Sequence, residues 1–424
     1  MRILVFLPHP VLPPDRGNKH HTYNLLRYIS LHHDCHVIAF QEPGQAPREP
    51  WASLESACPG LKVLEVFEQV SGFRLRLGRA LCLLQLKPAV LARYRNPALS
   101  RYLESLDLSQ YDVVLFDMYP LVQWRALCSS RPCVLIASDA YSLATFRAAR
   151  DARSLKTRLR MLAEACLVLL LERSEYPRFD VVSTVSSTAA DWLSKVAPDG
   201  TYRFVPLCVD EGFLDESSAA DPGNAPPVLL CWEGLAHEAV ATQVAAFLRK
   251  VWPEIRKVIP AAEMVIWGDR PLPFLRRLVE RTPGARHMGF VEDWVGTLRQ
   301  AAVFVFPHRA TAGMHLKLMS AFAAGLPVVA TPEAYGWFAL EEGMNAYTAR
   351  SWDAFRNICI ELLSDPGKRT RVGARAREMI MTSFTNPGVA NRMIAVFEEA
   401  ILRHSTRAQG PGSSPGIRTS TRSS

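Results

Sequence analysis

The chain has 424 residues, too many for one ordinary core and suited to two domains of roughly 100–200 residues each. Its 49% apolar and 21% charged residues are those of a globular chain, which excludes global disorder and fibrous architectures. Bases exceed acids by 8, and no apolar run approaches the ~20 residues that a membrane-spanning helix needs.

In chain order, RILVFL (2–7) stops at Pro8, too early for a secretory apolar region, and reads as a buried first strand. A Pro/Gly-rich loop, the helical HTYNLLRYIS and the strand CHVIAF complete a βαβ opening. DVVLF (112–116), CVLIA (133–137) and DVVSTV (180–185) are continuous apolar runs, the mark of a parallel sheet covered on both faces. A long helical stretch, about 144–175, separates the last two, and YRFVPL (202–207) closes this half. Residues 211–227, rich in Asp, Ser, Ala, Gly and Pro, read as a linker.

The pattern then restarts with VLLCW (228–232), EMVIWG (263–268), AAVFVFP (301–307) and LPVVAT (326–331), with helices between them. These include segments around 274–280 and over 314–324. The expectation is an α/β chain of two doubly wound, Rossmann-like domains facing each other across a cleft, with ligands at the C-terminal ends of the strands. Its divisions are 1–212, a linker at 213–227, 228–385, a helix at 386–403 returning to the first domain, and a disordered tail at 404–424. Nine scattered cysteines, an odd number without a Cys-x-x-Cys pair, argue for a reducing cytoplasm and against a disulfide framework or structural zinc.

The positive charge is local. Residues 71–103 carry seven bases and no acid, and 147–160 carry six bases against Asp151, so these two blocks net +12. Both are interleaved with Leu. They suit an anionic surface, either a bilayer leaflet or the diphosphate of a lipid-linked acceptor. Equally, they can be solvated helix faces whose acids come from elsewhere in the fold. Nucleic acid is disfavoured, because neither a nucleic-acid-binding motif nor aromatic interleaving is present.

The stretch VFVFPHRATAGMHLKLMSAFAAGLPVVATPEAYGW (303–337) carries the chemistry. A buried strand runs through a loop into a helix of small residues, whose free N–H groups and positive dipole end suit a phosphate. Gly313 leaves the backbone open there, and Gly313, Lys317, Ser320 and Ala324 share one helical stripe. Lys317 would bring an ammonium within a turn of the phosphate and Arg309 a planar fork. Taken alone, Lys317 can also be a lysine snorkelling at a helix start.

This segment resembles the nucleotide-binding region of the group 1, family 4-like GT-B glycosyltransferases. The residues that carry the likeness are Pro307, Arg309, Gly313, Lys317, Ala321, Ala323, Gly325, Pro327, Val328, Val329 and Thr331. PPDRGNKHHTYNLL (13–26), VSTVSSTAADWL (182–193), RFVPLCVD (203–210) and LLSDPGKRTRVGARAREMI (362–380) extend it to about residue 403. The resemblance implies a retaining transferase, with an acceptor-side first domain and a nucleotide-sugar-binding second domain. It departs at Ala312 and Ser320, where the family carries two glutamates, and at Leu207-Cys208, where it commonly has Asn-Gly. The Arg and Lys often found after the first strand of the second domain are missing from WEGLAHEAV (232–240).

In the first domain, the resemblance points the loop and helix start of Asp15, Arg16, Gly17, Asn18, Lys19, His20 and His21 at the cleft. Gly17 then approaches the donor phosphate, and His20 or His21 either contacts the acceptor or is an ordinary helix-face residue. Asp139, after the strand CVLIA, is the best carboxylate for an acceptor hydroxyl or for positive charge on the sugar, or else the N-cap of a helix from Ser142. The leaving diphosphate carries the developing charge, so Arg309, Lys317 and the helix N-terminus form the expected catalytic cradle. No Asp-x-Asp occurs, so neither a metal nor another cofactor is expected, and the nucleotide sugar is a substrate. Neither a Walker loop, a Gly-x-Gly-x-x-Gly after a strand nor a Gly-x-Ser-x-Gly elbow occurs, which disfavours kinases, dehydrogenases and α/β-hydrolases. The expected function is a cytoplasmic glycosyltransferase, peripheral at the inner membrane face, acting on a lipid-linked or saccharide acceptor. The alternative is a non-catalytic GT-B relic that binds a nucleotide, a partner or a membrane.

Overall fold

The computed structural model describes residues 1–14, 17–44, 49–152, 154–209, 211–213, 219–289, 291, 293–309, 314–336 and 338–409. Gly313, Asp15, Arg16 and Ala312 lie outside them.

The first sheet is built from β1 (Arg2–Leu7), β2 (Asp34–Gln41), β3 (Leu61–Glu68), β4 (Val113–Asp117), β5 (Cys133–Ser138), β6 (Val181–Thr184) and β7 (Tyr202–Phe204). Its helices are α1 (Gly17–Ile29), α2 (Glu49–Ala57), α3 (Gly72–Leu84), α4 (Pro97–Ser105), α5 (Tyr141–Asp151), α6 (Leu155–Glu175) and α7 (Ser187–Val196). The strands run parallel in the order β3-β2-β1-β4-β5-β6-β7.

The second sheet holds β8 (Val228–Trp232), β9 (Glu263–Trp267), β10 (Ala285–Gly289), β11 (Val303–Phe306), β12 (Val328–Ala330) and β13 (Tyr347–Thr348). With it go α8 (Glu238–Lys250), α9 (Trp252–Val258), α10 (Pro273–Glu280), α11 (Trp294–Arg299), α12 (Leu316–Ala323), α13 (Trp352–Ser364) and α14 (Pro366–Ser383). Its parallel order, β10-β9-β8-β11-β12-β13, repeats that of the first.

The apolar strands are continuous because both faces of each sheet are covered. Leu4 and Phe6 of β1 enter one core layer, while Ile3, Val5 and Leu7 enter the layer opposite. In β8, Val228 and Leu230 face one way, Leu229 and Cys231 the other.

The last helix, α15 (Asn386–Gln409), crosses back to the first domain. Its stripe Val389, Met393, Phe397 and Ala400 joins the layer that holds Leu25 and Ile29 of α1. Glu399 grips the Arg203 guanidinium through two bonds of 2.8 and 2.6 Å. The buried Asp180 accepts the Cys133 amide at 2.8 Å, and the Arg407 guanidinium lies 3.3 Å away. The helix therefore continues past Arg403, where the sequence pattern placed its end.

The stretch read as one helix over 144–175 is two. Glu172 of α6 accepts the Ser142 amide at 3.1 Å and the Ser142 hydroxyl, closing the start of α5. Asp139 does not take that role. Ala140 stands at the cap position, and the Asp139 carboxylate accepts the Ala140 amide at 2.8 Å.

Candidate active site

In a doubly wound sheet the helices on either side of the first strand lie on opposite faces, which opens a crevice at the strand ends where the order reverses. The crevice falls between β1 and β4 in the first sheet and between β8 and β11 in the second. The two crevices face each other. The first residue of α1, Gly17, is so close to the first residue of α12 that a Cβ on it would lie 3.7 Å from Leu316 Cβ. His20 of α1 meets Trp294 of α11 edge-on, with ring centroids 6.4 Å apart.

At the second crevice the chain leaves β8 through Glu233, whose side chain is 3% exposed, and enters α12 one residue before Lys317. The Lys317 ammonium lies 3.9 Å from Glu233 Oε2 and 5.9 Å from the centre of the Trp232 ring. Glu233 Oε1 has no hydrogen-bond partner. Burial pushes the Glu233 carboxyl up to about 7, with Lys317 acting against it. Burial also lowers the Lys317 ammonium from its ordinary value, and Glu233 opposes that shift. Gly234 continues the wrap, since a Cβ there would stand 3.2 Å from His237 and 3.9 Å from Lys317 Nζ.

Around this pair, Trp232 and Trp267 stack at 4.1 Å and Trp294 meets Trp232 edge-on at 5.4 Å, forming an aromatic wall. On the other flank, His308 and His315 tilt against Phe306. Burial and the nearby Lys317 depress His308 to about 4, and burial, His308 and Lys317 depress His315 to about 3. Both imidazoles are therefore neutral at pH 7. The Lys317 ammonium addresses this crevice. The Arg309 guanidinium turns to the Arg350 carbonyl at 3.4 Å and the Trp352 ring at 6.0 Å. Ser320 is 2% exposed, and its hydroxyl has no hydrogen-bond partner.

At the first crevice, Asp117 ends β4 and is buried, accepting the Thr22 hydroxyl of α1 at 2.9 Å. Burial raises it to about 7. Asp139 follows β5 and is raised by burial to about 7, with the Ala140 amide and Arg147 opposing. Met118 and Ser138, which adjoin these two carboxyls, hold φ of 75° and 60°. Such left-handed backbone is costly for non-glycine residues and collects at functional sites. The Asn18 side-chain amide nitrogen donates to His9 Nε2 at 3.0 Å and approaches Met118 Sδ at 3.5 Å, tying the start of α1 to the end of β4.

His20 is 5% exposed and close to Asn24, whose amide lies 3.2 Å from its Nδ1. His21 is buried with neither ring nitrogen hydrogen-bonded, and burial with His20 nearby lowers it to about 4. It shares a stripe with Leu25 and Ile29, on the side of α1 that faces the core. Of the two histidines, His20 is the one at the domain boundary.

Sequence reasoning passed over Glu233 and Asp117. Each is the first polar residue after a continuous apolar strand, and that position was the available signal. Among the described residues no group of three or more His, Cys, Asp or Glu side chains is arranged to hold a metal ion.

The two facing doubly wound domains define a GT-B architecture, and solved structures share it over nearly the whole chain. HepE of Anabaena, crystallised with UDP and glucose, superposes with a TM-score of 0.63 at 15% identity, covering 93% of this chain and 99% of that one. Sucrose-phosphate synthase of Thermosynechococcus elongatus gives 0.67 at 14% identity, covering 95% and 100%. WaaG, a glycosyltransferase involved in lipopolysaccharide biosynthesis, gives 0.63 at 12%, covering 93% and 99%. At these identities the likeness is one of fold. Residues 226–365, most of the second domain and including Glu233 and Lys317, match the family model of glycosyl transferases group 1. No curated protein matches the chain by sequence.

Proposed function

We propose that the chain is a glycosyltransferase that moves a hexosyl group, with retention, from a nucleotide sugar on the second domain to an acceptor on the first. The observation that carries this reading is Lys317 in the first turn of α12, at the crevice of the domain that matches the group 1 model. Transfer breaks the bond between the anomeric carbon and the diphosphate oxygen and makes one to the acceptor oxygen. The acceptor hydroxyl proton leaves with the diphosphate or to a base. Negative charge grows on the departing phosphate, where the Lys317 ammonium and the free N–H groups of α12 stabilise it. The protein's own cation serves this charge, and we assign no metal cofactor.

Glu233 fits this only when it carries a proton. Ionised, it would repel a diphosphate, whereas protonated its Oε1 or Oε2 can donate to a phosphate or sugar oxygen. A carboxyl raised to about 7 by burial is poised for that exchange. On the acceptor side, Asp117 ends β4 and Asp139 follows β5 beside the crevice, and His20 borders the cleft. The acceptor class we assign is a saccharide or a lipid-linked saccharide in polysaccharide or glycolipid assembly, at the cytoplasmic face of a membrane.

The test is a titration of the full chain with UDP, GDP and ADP and their sugars, followed by product analysis for slow donor hydrolysis. Binding of one nucleoside diphosphate and release of its sugar support the reading. A cooperatively melting protein that binds none of them overturns it. Binding without turnover favours the non-catalytic alternative, which the Glu233–Lys317 pair and the Ser320 replacement motivate.

A further inference from the structure

Ten of the sixteen large apolar side chains that stand exposed among the described residues lie on α3, on the turn after it, or on α6. The other six are scattered singly, as on most soluble proteins. On α3 only Leu75, Gly78 and Cys82 turn inward, and a Cβ on Gly78 would come within 3.2 Å of Ala92 Cβ. At about 100° per residue, Phe73, Leu77, Leu81 and Leu84 then form an outward stripe. Phe73 is 78% and Leu84 82% exposed. Arg74 flanks this stripe on one side and Arg76 on the other, Arg79 lies further round the helix, and all three are exposed.

α6 repeats the device. Leu155, Leu159, Leu162 and Leu170 share an exposed stripe, with Lys156, Arg158 and Arg160 exposed beside it. Its acids Glu164, Glu172 and Glu175 fall on the opposite side of the helix by the same periodicity. Cys82 of α3 and Leu171 of α6 enter one core layer, so the two helices cover the same face of the first sheet. The Lys87 ammonium, just beyond α3, lies 4.0 Å from Glu175 of α6.

A helix held by a narrow inner stripe that presents an outer apolar stripe edged by arginines cannot satisfy that stripe in water. It can do so at a lipid interface, where the apolar groups enter the acyl boundary and the guanidinium groups reach back to anionic headgroups. We propose that the outward faces of α3 and α6 form one docking surface for an anionic phospholipid bilayer. It deepens the functional reading above, in which the acceptor is carried on a lipid, by naming the surface that meets the membrane. Charge complementarity selects an anionic leaflet over a second copy of this chain. Two copies would set arginine against arginine, because residues 71–103 contain no acid to answer them.

Flotation of the full chain with phosphatidylcholine vesicles and with vesicles containing about 30% phosphatidylglycerol tests this, with UDP binding measured on the same samples. The wild type should float with the anionic vesicles and be released by salt. Arg74→Gln/Arg76→Gln/Arg79→Gln should lower partitioning by about 100-fold, at about 1 kcal/mol for each lost base. Phe73→Ser/Leu77→Ser/Leu84→Ser should abolish it without shifting the melting temperature, since these side chains are already exposed. Leu31→Ser, at an isolated exposed site, should float as the wild type does. Equal flotation with both vesicle types, flotation with neither, unaltered flotation of both triple variants, or a dimer that the apolar triple variant dissociates would each overturn the proposal. UDP affinity should be the same in every variant, so loss of lipid binding with UDP binding intact bears on the docking surface alone.

Discussion

The first crevice sets the buried carboxyl of Asp117 against the hydroxyl of Thr22, whereas the second sets the buried carboxyl of Glu233 against the ammonium of Lys317. The strand order around the two crevices is the same, and burial raises both carboxyls to about 7. The difference is the fixed positive charge. A hydroxyl satisfies a protonated or an ionised carboxyl without committing the site to an anion. An ammonium at a helix N-terminus commits it to one. One topology thus yields a site suited to a neutral sugar hydroxyl and another suited to a diphosphate, and the chemistry of a few side chains at the strand ends decides between them.

The sharpest way to break this contrast is Lys317→Ala. Loss of a charge-assisted contact costs roughly 1.5–3 kcal/mol, so affinity for a nucleoside diphosphate should fall about 10- to 100-fold by calorimetric titration. At pH 6.5 the melting temperature should barely move, because the orphaned Glu233 can hold its proton instead of standing as a bare buried charge. A large drop in melting temperature with donor affinity intact would make Lys317 structural and dissolve the difference between the crevices.

Glu233→Gln sharpens the contrast further. If donor binding requires protonated Glu233, affinity is highest below about 7 and falls as pH rises beyond it, by at most about tenfold per unit for one proton. The glutamine variant should lose that slope and bind more tightly than the wild type at pH 8.5. A pH profile unchanged by the substitution would remove Glu233 from the donor site.

These two residues also mark how far the sequence could be read. The apolar runs of β1, β4, β5, β8 and β11 are legible because both their faces are buried, and with them the two doubly wound units follow. The strands that escape notice are β3, β10 and β13. β3 and β10 are the outermost strands at one end of their sheets, where exposed residues interrupt the apolar run, and β13 is only two residues long. Lys317 is legible through its segment, since strand, loop, small-residue helix and strand lie contiguous in the chain. The Glu233–Lys317 pair is not, because its members are 84 residues apart and meet only when β8 and β11 become neighbours. Arg309 shows the limit of reading by proximity: three residues past the end of β11, its side chain turns to Arg350 and Trp352.

Asp117→Asn probes the first crevice through stability. A carboxyl raised from 3.8 to about 7 keeps its proton in the folded state where the unfolded chain has already released it. Its contribution is therefore fully present below the unfolded value and is lost as pH rises through about 7. The asparagine cannot ionise, and its carbonyl still accepts the Thr22 hydroxyl. The variant should gain on the wild type from about pH 4 to about pH 7, by at most about 1.4 kcal/mol per pH unit, and keep that lead at pH 8.5 in chemical denaturation. Donor affinity should not change, and a loss there would mean that the first crevice also holds the nucleotide.

The smallest effect is expected where the crevices touch. A methyl on Gly17 would stand 3.7 Å from Leu316 Cβ, an ordinary contact, and Gly17 is the first residue of α1, where alanine is at least as good a helix former. Gly17→Ala should therefore melt within about 0.5 kcal/mol of the wild type. The same methyl projects toward the start of α12, where the diphosphate is proposed to sit, so donor affinity should fall by less than 1 kcal/mol, or about fivefold. Measured beside Lys317→Ala, that ratio separates crowding of the ligand from loss of its charge partner. If Gly17→Ala weakens the donor as much as Lys317→Ala does, steric access between the two helix starts, and not the ammonium, governs binding at the second crevice.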